Sequence, residues 1–457
     1  MVCFTSCRLN QSGTDASPCV MLVGGGGPPR YLGERCRRCV RIHGLMKVDA
    51  SRLFLPAEQW RRNRLAINIA AALVFSGFTF VVPFLPLYVR ELGVQGEANI
   101  ATWAGLLLTV APLLASLLAP AWGRVGDRYG MKLMIERCTL AMALHWVFFG
   151  LAGSVYHLLI LRIALGLSGG FAALSMPLLV ATTPKDHMSR SIGVLQTVQM
   201  ISSAVGPMIG GMLADWIGIR RTCMVSAALA AASLALVHFL YRDPDEVASS
   251  AGGGAARSIS FRQAIGIPAF GLMIAVLFIV NFVERSFAPV IPLYVLTLGT
   301  PLHHAAKTAG VILSLGLFAE AVSAVVLGDR LKEGAARRIL LWRLGAGAVI
   351  CLPMGLVWST AQLMALRLAL GLLAGGCMVV IYTAASRVIP KETRATSFSF
   401  LASASLCGAS IGPVMAGALT HLNIRATFFF NAGLFLLLLI YASRSMGAAI
   451  QTTSPKE

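Results

Sequence analysis

Two glutamates stand deep inside apolar stretches of this 457-residue chain, where a carboxyl group is a candidate for proton chemistry. Glu284 and Glu320 fall within the predicted membrane spans at residues 269–295 and 305–327. At about 1.5 Å of rise per helical residue, they lie ~15 Å and ~22 Å from the same face of the membrane, so one cavity can hold both. Proton coupling needs a buried group that each side of the membrane reaches in turn, and ionisable residues at this depth usually mark such a pathway.

Arg285 and Asn281 lie on the same predicted helix as Glu284. Arg285 points about 100° away from Glu284 around the helix, so it is placed to serve Glu320 instead, whereas Asn281 lies one turn from both Glu284 and Arg285. A buried carboxyl group takes up a proton when its cation moves away and releases the proton when the cation returns. The alternative is a static ion pair between helices. The sequence does not decide between these readings, nor which glutamate titrates.

The composition places the chain in a membrane. Hydrophobic residues make up 57% of it and charged residues 12%, with a mean hydropathy of +0.75, whereas soluble domains carry roughly 25% charged residues. The formal charge of +19 comes from short basic clusters between apolar runs, not from the basic, aromatic-rich face that nucleic-acid binding requires. Cys36 and Cys39 form a lone CxxC without the spacing of a zinc site. We therefore predict neither a nucleic-acid partner nor a metal.

Apolar runs of about 20 residues, the length at which a helix spans a bilayer, recur along the chain. They predict an all-α membrane protein with twelve transmembrane helices. The predicted spans lie at residues 65–89, 100–121, 133–153, 157–181, 191–214, 221–241, 269–295, 305–327, 339–359, 361–385, 396–419 and 426–443.

The second half of the chain repeats the first. Arg162 and Gly166 recur as Arg367 and Gly371, and a proline-rich stretch recurs at an offset of 206 residues: Pro83, Pro86, Leu87, Tyr88 and Val89 return as Pro289, Pro292, Leu293, Tyr294 and Val295. Because each half holds an even number of helices, both copies have the same orientation and the symmetry axis follows the membrane normal. The prediction is two six-helix halves in a pseudo-twofold arrangement.

The domain boundaries follow from these runs. We predict an N-terminal leader (1–64), two six-helix bundles (65–241 and 269–443), a polar linker (242–268) and a tail (444–457). Residues 1–45 are glycine-rich and arginine-rich, and we expect them to be disordered or an over-extended start, with Met46 opening the functional chain. Lys and Arg concentrate in the alternate connections that share a side with both termini, so the leader, linker and tail are expected to be cytoplasmic, in an inner or plasma membrane.

A glycine-rich and proline-containing stretch interrupts the fifth predicted span. It includes Ser202, Gly206, Pro207, Gly210 and Gly211, and a related copy occupies residues 408–417. Proline removes a helical hydrogen bond and glycines let a second backbone approach closely. The stretch therefore predicts a bend and a tight helix seam rather than a binding group.

The connection after the second span reads Gly-Arg-Val-Gly-Asp-Arg-Tyr-Gly-Met-Lys over residues 123–132. It resembles the cytoplasmic signature loop of the major facilitator superfamily, with Met131 in place of the usual basic residue. The resemblance implies that the loop latches the two halves together on the cytoplasmic side. That role is carried over to Gly123, Asp127, Arg128, Gly130 and Lys132. The second copy, at residues 327–330, lacks the first glycine.

Arg162 with Gly166 resembles a fourth-helix element of the same superfamily that is tied to proton movement, with Leu165 where a polar residue is usual. Arg367 is its counterpart in the repeat. An arginine in mid-membrane costs several kcal/mol unless it faces a partner or a cavity, so it is seldom idle. The alternative is that both arginines tie neighbouring helices together through backbone carbonyls.

The stretch from Ser202 to Gly211 is similar to the fifth-helix motif of antiporters in this superfamily, with Ser202 at the place of a first glycine. Over residues 60–440 the chain resembles the twelve-helix drug:proton antiporters, the MdtG-like multidrug exporters among them. The resemblance implies the major facilitator fold, alternating access and proton-driven efflux of a small molecule. It implies no cofactor beyond the proton gradient, and we expect a monomer in the lipid bilayer.

The sequence thus predicts a proton-coupled antiporter that exports drugs or other amphiphilic molecules. A proton symporter or facilitator for a sugar or metabolite is the nearest alternative, and a non-transporting membrane sensor or scaffold is the alternative of another class. We find no Walker A motif and no catalytic triad spacing, so an ATP-driven pump and an enzyme are not predicted.

Overall fold

A computed structural model describes residues 57–169, 171–184, 187–242, 270–330, 336–389 and 394–451. Residues 1–45, which are expected to be disordered or an over-extended start, and nearly all of the predicted linker lie outside the described residues.

The described residues of the first half form eight α-helices. Pro83 lies in a short 3-10 helix (Val82–Phe84) and Pro86 opens the helix that follows, so the first crossing of the membrane is made of two α-helices. The helices are α1 (Ala57–Val81), α2 (Leu85–Glu91), α3 (Glu97–Tyr129), α4 (Met131–Gly150), α5 (Val155–Ser168), α6 (Phe171–Thr182), α7 (Met188–Ile217) and α8 (Ile219–Leu240).

Seven α-helices are formed by the described residues of the second half. In its fourth crossing, as in that of the first half, the helix is interrupted at glycine, here at Gly375 and Gly376. The helices are α9 (Phe270–Thr297), α10 (Leu302–Arg330), α11 (Ala336–Met354), α12 (Thr360–Ala374), α13 (Cys377–Val388), α14 (Arg394–Leu419) and α15 (Ala426–Gln451).

Taken with their short breaks, these helices make twelve successive antiparallel segments, six in each half, in agreement with the prediction. Ten stretches of the described residues are both long and apolar enough to cross a membrane. The fourth crossing is divided between α5 and α6, and each part alone is short. The ninth is α11, which carries arginines at positions 337, 338 and 343 and is less apolar for that reason.

Several helices extend past the predicted spans. The first begins at Ala57 rather than at residue 65, and the last continues to Gln451. The predicted signature loop at 123–132 is wrong as a loop: α3 continues to Tyr129, and Gly130 alone, with a φ of 91°, separates it from α4. Hydropathy locates the lipid-spanning part of a helix, whereas backbone hydrogen bonding continues into polar sequence beyond the membrane.

Each half has its own apolar core. In the first half, Trp146 and Phe149 are fully buried, and the hydroxyl of Tyr88 donates to the carbonyl oxygen of Phe149 at 2.8 Å. In the second half, the rings of Phe287 and Phe428 stack with centroids 6.0 Å apart. The two halves thus have their own buried aromatic residues, and they meet along two helix seams.

One seam joins α7 of the first half to α10 of the second. A Cβ atom added at Gly211 would overlap the backbone of Ala306, and one added at Gly310 would overlap the carbonyl of Pro207. The backbone N–H of Met208 donates to the hydroxyl of Ser314 at 2.9 Å. These helices thus touch backbone to backbone, which only small residues permit.

A second seam joins α3 to α14. The hydroxyl of Thr109 donates to the carbonyl oxygen of Ser410 at 2.6 Å, and Gly105 and Gly417 lie against backbone of the other helix. We call the side where α1 begins and α15 ends the terminal side, and the other the opposite side. In both seams these contacts fall in the half of the helix nearer the opposite side.

Toward the terminal side the same helix faces are uncovered. A Cβ atom at Gly193 of α7 would meet no atom within 4 Å, and Met200, farther along that face, is exposed. Phe318 of α10 and Leu406 of α14 are exposed as well. The halves therefore close on the opposite side and part toward the terminal side.

Asp215, at the end of α7, joins the two halves at the closed side. Its carboxylate accepts the backbone N–H of Lys307 at 2.9 Å and that of Ala306. Because hydrogen bonds to a charged group contribute about 1.5–3 kcal/mol, we expect Asp215→Ala to speed hydrogen exchange in residues 302–310 at least about tenfold. Hydrogen exchange followed by mass spectrometry measures this, with Glu97→Ala as an exposed acidic control. Unchanged exchange would show that Asp215 does not hold the seam.

Candidate functional site

Glu284 and Arg367 form an ion pair between α9 and α12. The Nη2 atom of Arg367 donates to the Oε1 atom of Glu284. The arginine side chain is 1% exposed and that of the glutamate 23%. The guanidinium also lies over the ring of Phe287, 4.7 Å from its centroid. The guanidinium is thus buried, whereas the Glu284 carboxylate remains partly accessible to solvent.

Two glycines make room for this arginine. A Cβ atom at Gly316 of α10 would lie 2.6 Å from the Cζ atom of Arg367, and a Cβ atom at Gly371 would lie 2.7 Å from the Cβ atom of Ala319. Because α10 and α12 meet without intervening side chains, the guanidinium reaches across α10 toward α9. The predicted repeat element Arg-x-x-x-Gly therefore contributes both the cation and the close approach.

Glu320 lies on α10 beside the pair. It is within electrostatic reach of Glu284, Arg367 and, more weakly, Arg285. A Cβ atom at Gly375, just after α12, would lie 3.1 Å from the Cγ atom of Glu320. We call Glu284, Glu320 and Arg367 the carboxylate cluster. With both glutamates ionised it carries one surplus negative charge, which a single bound proton neutralises.

The sequence expectation for Arg285 differs from the arrangement in the structure. Arg285 is exposed, and the cation bonded to Glu284 is Arg367, whereas Glu320 has Arg367 and, more weakly, Arg285 within electrostatic reach. Asn281 donates to the carbonyl of Leu277 at 2.8 Å, within its own helix. The rotation of one helix against another decided the pairing, and the sequence does not contain that rotation. The repeat singled out Arg367 without indicating what it faces.

Arg162 occupies the equivalent place in the first half, with different neighbours. It is 1% exposed, and its Cζ atom lies 5.8, 5.7 and 5.2 Å from the ring centroids of Phe78, Trp146 and Phe149. Phe78 stands 206 residues before Glu284. Among the described residues, the Nε and Nη2 atoms of Arg162 have no hydrogen-bond partner. The duplicated arginine thus faces aromatic rings in one half and a carboxylate in the other.

The stretch from Ser202 to Gly211 packs α7 closely against α1 on one side and α10 on the other. A Cβ atom at Gly206 would overlap the side chain of Thr79, and one at Gly210 would overlap the backbone of Phe80. These contacts stay within the first half. Pro207 and Gly211 face the second half across the seam described above. The segment therefore packs closely on two sides, and α7 runs through Pro207 as one helix.

The structure describes the surroundings of two residues assigned to the cytoplasmic latch, Gly130 and Lys132. Gly130 forms the turn, and the Nζ atom of Lys132 donates to the carbonyl of His238 at 3.0 Å and lies 3.8 Å from the Oε1 atom of Glu136. These bonds stay within the first half. The side chains of Asp127 and Arg128, and the surroundings of Gly123, lie outside what the structure describes, so the latch remains a prediction.

Two further arginines bind backbone carbonyls at the helix breaks in the fourth crossings. Sequence reasoning missed both of them. Arg137 of α4 donates to the carbonyl of Ser168 at the end of α5, at 2.6 Å. Arg343 of α11 donates to the carbonyl of Gly375 at the end of α12. The two arginines stand 206 residues apart, and this spacing was the signal that could have revealed them. Since Gly375 also packs against Glu320, the bond from Arg343 fixes the backbone that lies beside the carboxylate cluster.

The described residues include no group of three or more His, Cys, Asp or Glu side chains placed to hold a metal.

Curated relatives match most of the chain. A multi-drug resistance efflux pump PmrA homolog of Lactococcus lactis is 31% identical over 372 residues, which is 80% of this chain and 90% of the relative. The multidrug resistance protein MdtG of Citrobacter koseri is 29% identical over 402 residues, 87% of this chain and 98% of the relative.

Solved structures share the fold at low sequence identity. A bacterial homologue of the human lysosomal transporter Spinster, inward-facing and unoccupied, has a TM-score of 0.69 at 15% identity, covering 86% of this chain and 99% of that one. The human organic anion transporter MFSD10 has a TM-score of 0.59 at 17% identity, covering 85% and 100%.

The family model described as Major Facilitator Superfamily matches residues 67–362 and 335–448, which together span nearly all of the described helices. The predicted all-α membrane fold and the resemblance noted in the sequence are thereby confirmed. This chain belongs to the major facilitator superfamily and is a multi-pass membrane transporter.

Proposed function

We propose that this transporter is a proton-coupled antiporter that exports drugs or other amphiphilic small molecules. The observation that carries the proposal is the carboxylate cluster, in which Glu284 is paired with Arg367 and Glu320 lies within electrostatic reach of both. The substrate class rests on the relatives, which are named multidrug resistance protein and multi-drug resistance efflux pump. We also propose that the protein works as a monomer.

Alternating access supplies the mechanism. The terminal side is cytoplasmic, because the Lys and Arg residues of the connections concentrate there, and the protein lies in an inner or plasma membrane. With the opposite side closed, the cavity faces the cytoplasm and admits substrate. Release of a proton from the cluster to the cytoplasm leaves the surplus negative charge. Binding of substrate and reopening on the opposite side then let an external proton replace the exported molecule.

Arg367 makes this exchange responsive to conformation. Its guanidinium is bonded to Glu284, and it stabilises that carboxylate in the charged form. Movement of α12 against α9 and α10 changes which glutamate the guanidinium neutralises. The glutamate that loses its cation then binds the proton, because a buried carboxylate without a counter-charge is strongly unfavourable.

Transport in everted membrane vesicles tests the proposal. The wild-type protein is expected to accumulate a cationic dye in the vesicle lumen when the lumen is acidic, and Glu284→Gln and Glu320→Gln are each expected to reduce the rate at least about tenfold, equal to ~1.4 kcal/mol. Glu97→Gln, an exposed acid at the opposite side, serves as the matched control. Dye movement indifferent to the pH gradient in the wild type contradicts the proposal, and movement in the same direction as protons indicates a symporter.

A further inference from the structure

A groove opens between α10, α11 and α12 on the terminal side. Its volume is about 390 Å³. The wall is mostly apolar and includes Val326, Ile339, Ala346, Leu372 and Leu373. Of these, Val326, Leu372 and Leu373 are exposed, so the groove lies on the outer surface of the second half, where lipid chains surround the protein.

Arg338, Arg343 and the indole of Trp342 also line this groove, and Arg343 is already bonded to Ser323 and to the carbonyl of Gly375. Arg338 is exposed and makes no ion pair within the part of the chain that the structure describes. Trp342, one helical turn further along α11, is 72% exposed. Tryptophan concentrates at the level of lipid headgroups, and basic side chains near the end of a membrane helix reach toward phosphate.

The repeat shows that this arrangement is not a general feature of the fold. The counterparts of Arg338 and Trp342, 206 residues earlier, are Lys132 and Glu136. In the first half these two side chains lie 3.8 Å apart as an ion pair, and Lys132 also bonds to His238. The first half thus neutralises its cation internally, whereas in the described part of the second half Arg338 has no ion-pair partner and lies beside a tryptophan.

We propose that this groove binds an anionic phospholipid of the leaflet on the terminal side. Arg338 receives the headgroup phosphate, Trp342 lies at the boundary between headgroup and chain, and one acyl chain occupies the apolar wall. Basic pockets between membrane helices recognise anionic headgroups in this way, and each Arg near the surface contributes about 1 kcal/mol. An anionic lipid fits better than a zwitterionic one because no carboxylate among the described residues pairs with the guanidinium of Arg338.

Quenching of tryptophan fluorescence by brominated lipids tests the proposal on the purified full-length protein. Brominated phosphatidylglycerol is expected to quench at about fivefold lower mole fraction than brominated phosphatidylcholine, the ratio that corresponds to about 1 kcal/mol. Trp342→Phe should remove the preferential quenching by phosphatidylglycerol, which would show that the preferred lipid lies beside Trp342. Arg338→Gln should abolish the preference, and Ala346→Leu, which fills the wall of the groove, should weaken quenching by both lipids.

Arg190→Gln is the control, since Arg190 is exposed on the terminal side of the first half. It should leave the preference intact. Equal quenching by the two lipids overturns the proposal, as does a preference that survives Arg338→Gln or Trp342→Phe. A loss of preference as large in Arg190→Gln as in Arg338→Gln also overturns it, because general attraction to the basic surface would then be the cause.

Discussion

Replacing Gly211 with leucine is expected to abolish transport while both six-helix halves stay folded. A side chain at this position overlaps the carbonyl oxygen of Ala306 and lies 3.1 Å from the Cα atom of Lys307, both in the other half of the protein. Backbone atoms cannot rotate aside, so the halves must part at the opposite side to relieve the overlap. We expect transport below about a tenth of the wild-type rate, a change of ~1.4 kcal/mol or more in the barrier.

Transport in vesicles and hydrogen exchange together measure the effect of Gly211→Leu. Residues 302–314 and 410–420, which line the closed side, should exchange faster in the variant, while the interiors of the two bundles should not change. Gly433→Leu is a matched control, because a Cβ atom there would meet nothing within 4 Å. Wild-type transport by Gly211→Leu would show that closure at this seam is not required.

Gly206→Leu provides a contrast on the same helix. The side chain it would overlap is that of Thr79, within the first half, so parting of the halves gives no relief. We expect this variant to insert and to lose transport through disturbed packing of α7 on α1, without selective opening of the closed side. The two glycines thus separate packing inside a half from contact between the halves.

The sequence predicted the crossings and the repeat because both depend on local composition and on comparison of the chain with itself. It misplaced the ends of α1 and α15 and treated residues 123–132 as a loop, since hydropathy falls where a helix leaves the membrane although its backbone bonding continues. The break between α5 and α6 was also missed. There, Gly169 has a φ of 84°, a backbone conformation that other residues rarely adopt.

The candidate site was predicted residue by residue but not as an arrangement. Glu284 and Glu320 followed from their depth, and Arg367 from the repeat, yet the pairing of Arg367 with Glu284 joins helices 83 residues apart in sequence. The depth of a residue is a property of one helix. Pairing depends on how three helices rotate and approach, which here is set by Gly316 and Gly371, and the sequence does not give the rotation.

Arg367→Gln is expected to remove proton coupling. The change leaves Glu284 and Glu320 without their shared cation, and breaking a buried ion pair from one side costs about 3–5 kcal/mol. Both carboxyl groups should then remain neutral through the cycle. Export driven by a pH gradient should fall about a hundredfold, equal to ~2.7 kcal/mol, and any residual movement of dye should no longer depend on the gradient. Vesicle transport measured across a range of imposed gradients checks both results.

The double variant Glu284→Gln with Arg367→Gln separates a coupling role from a structural one. It removes both members of the pair, so the Glu284 carboxyl group that the single variant leaves without its partner disappears and thermal stability should recover by most of what Arg367→Gln lost. If the pair only ties α9 to α12, transport should recover with stability. If the pair carries the proton, stability returns and gradient-driven export does not, because Glu320 has lost the cation and the second carboxylate with which it exchanges charge. Recovery of export by the double variant would therefore contradict proton coupling at this cluster.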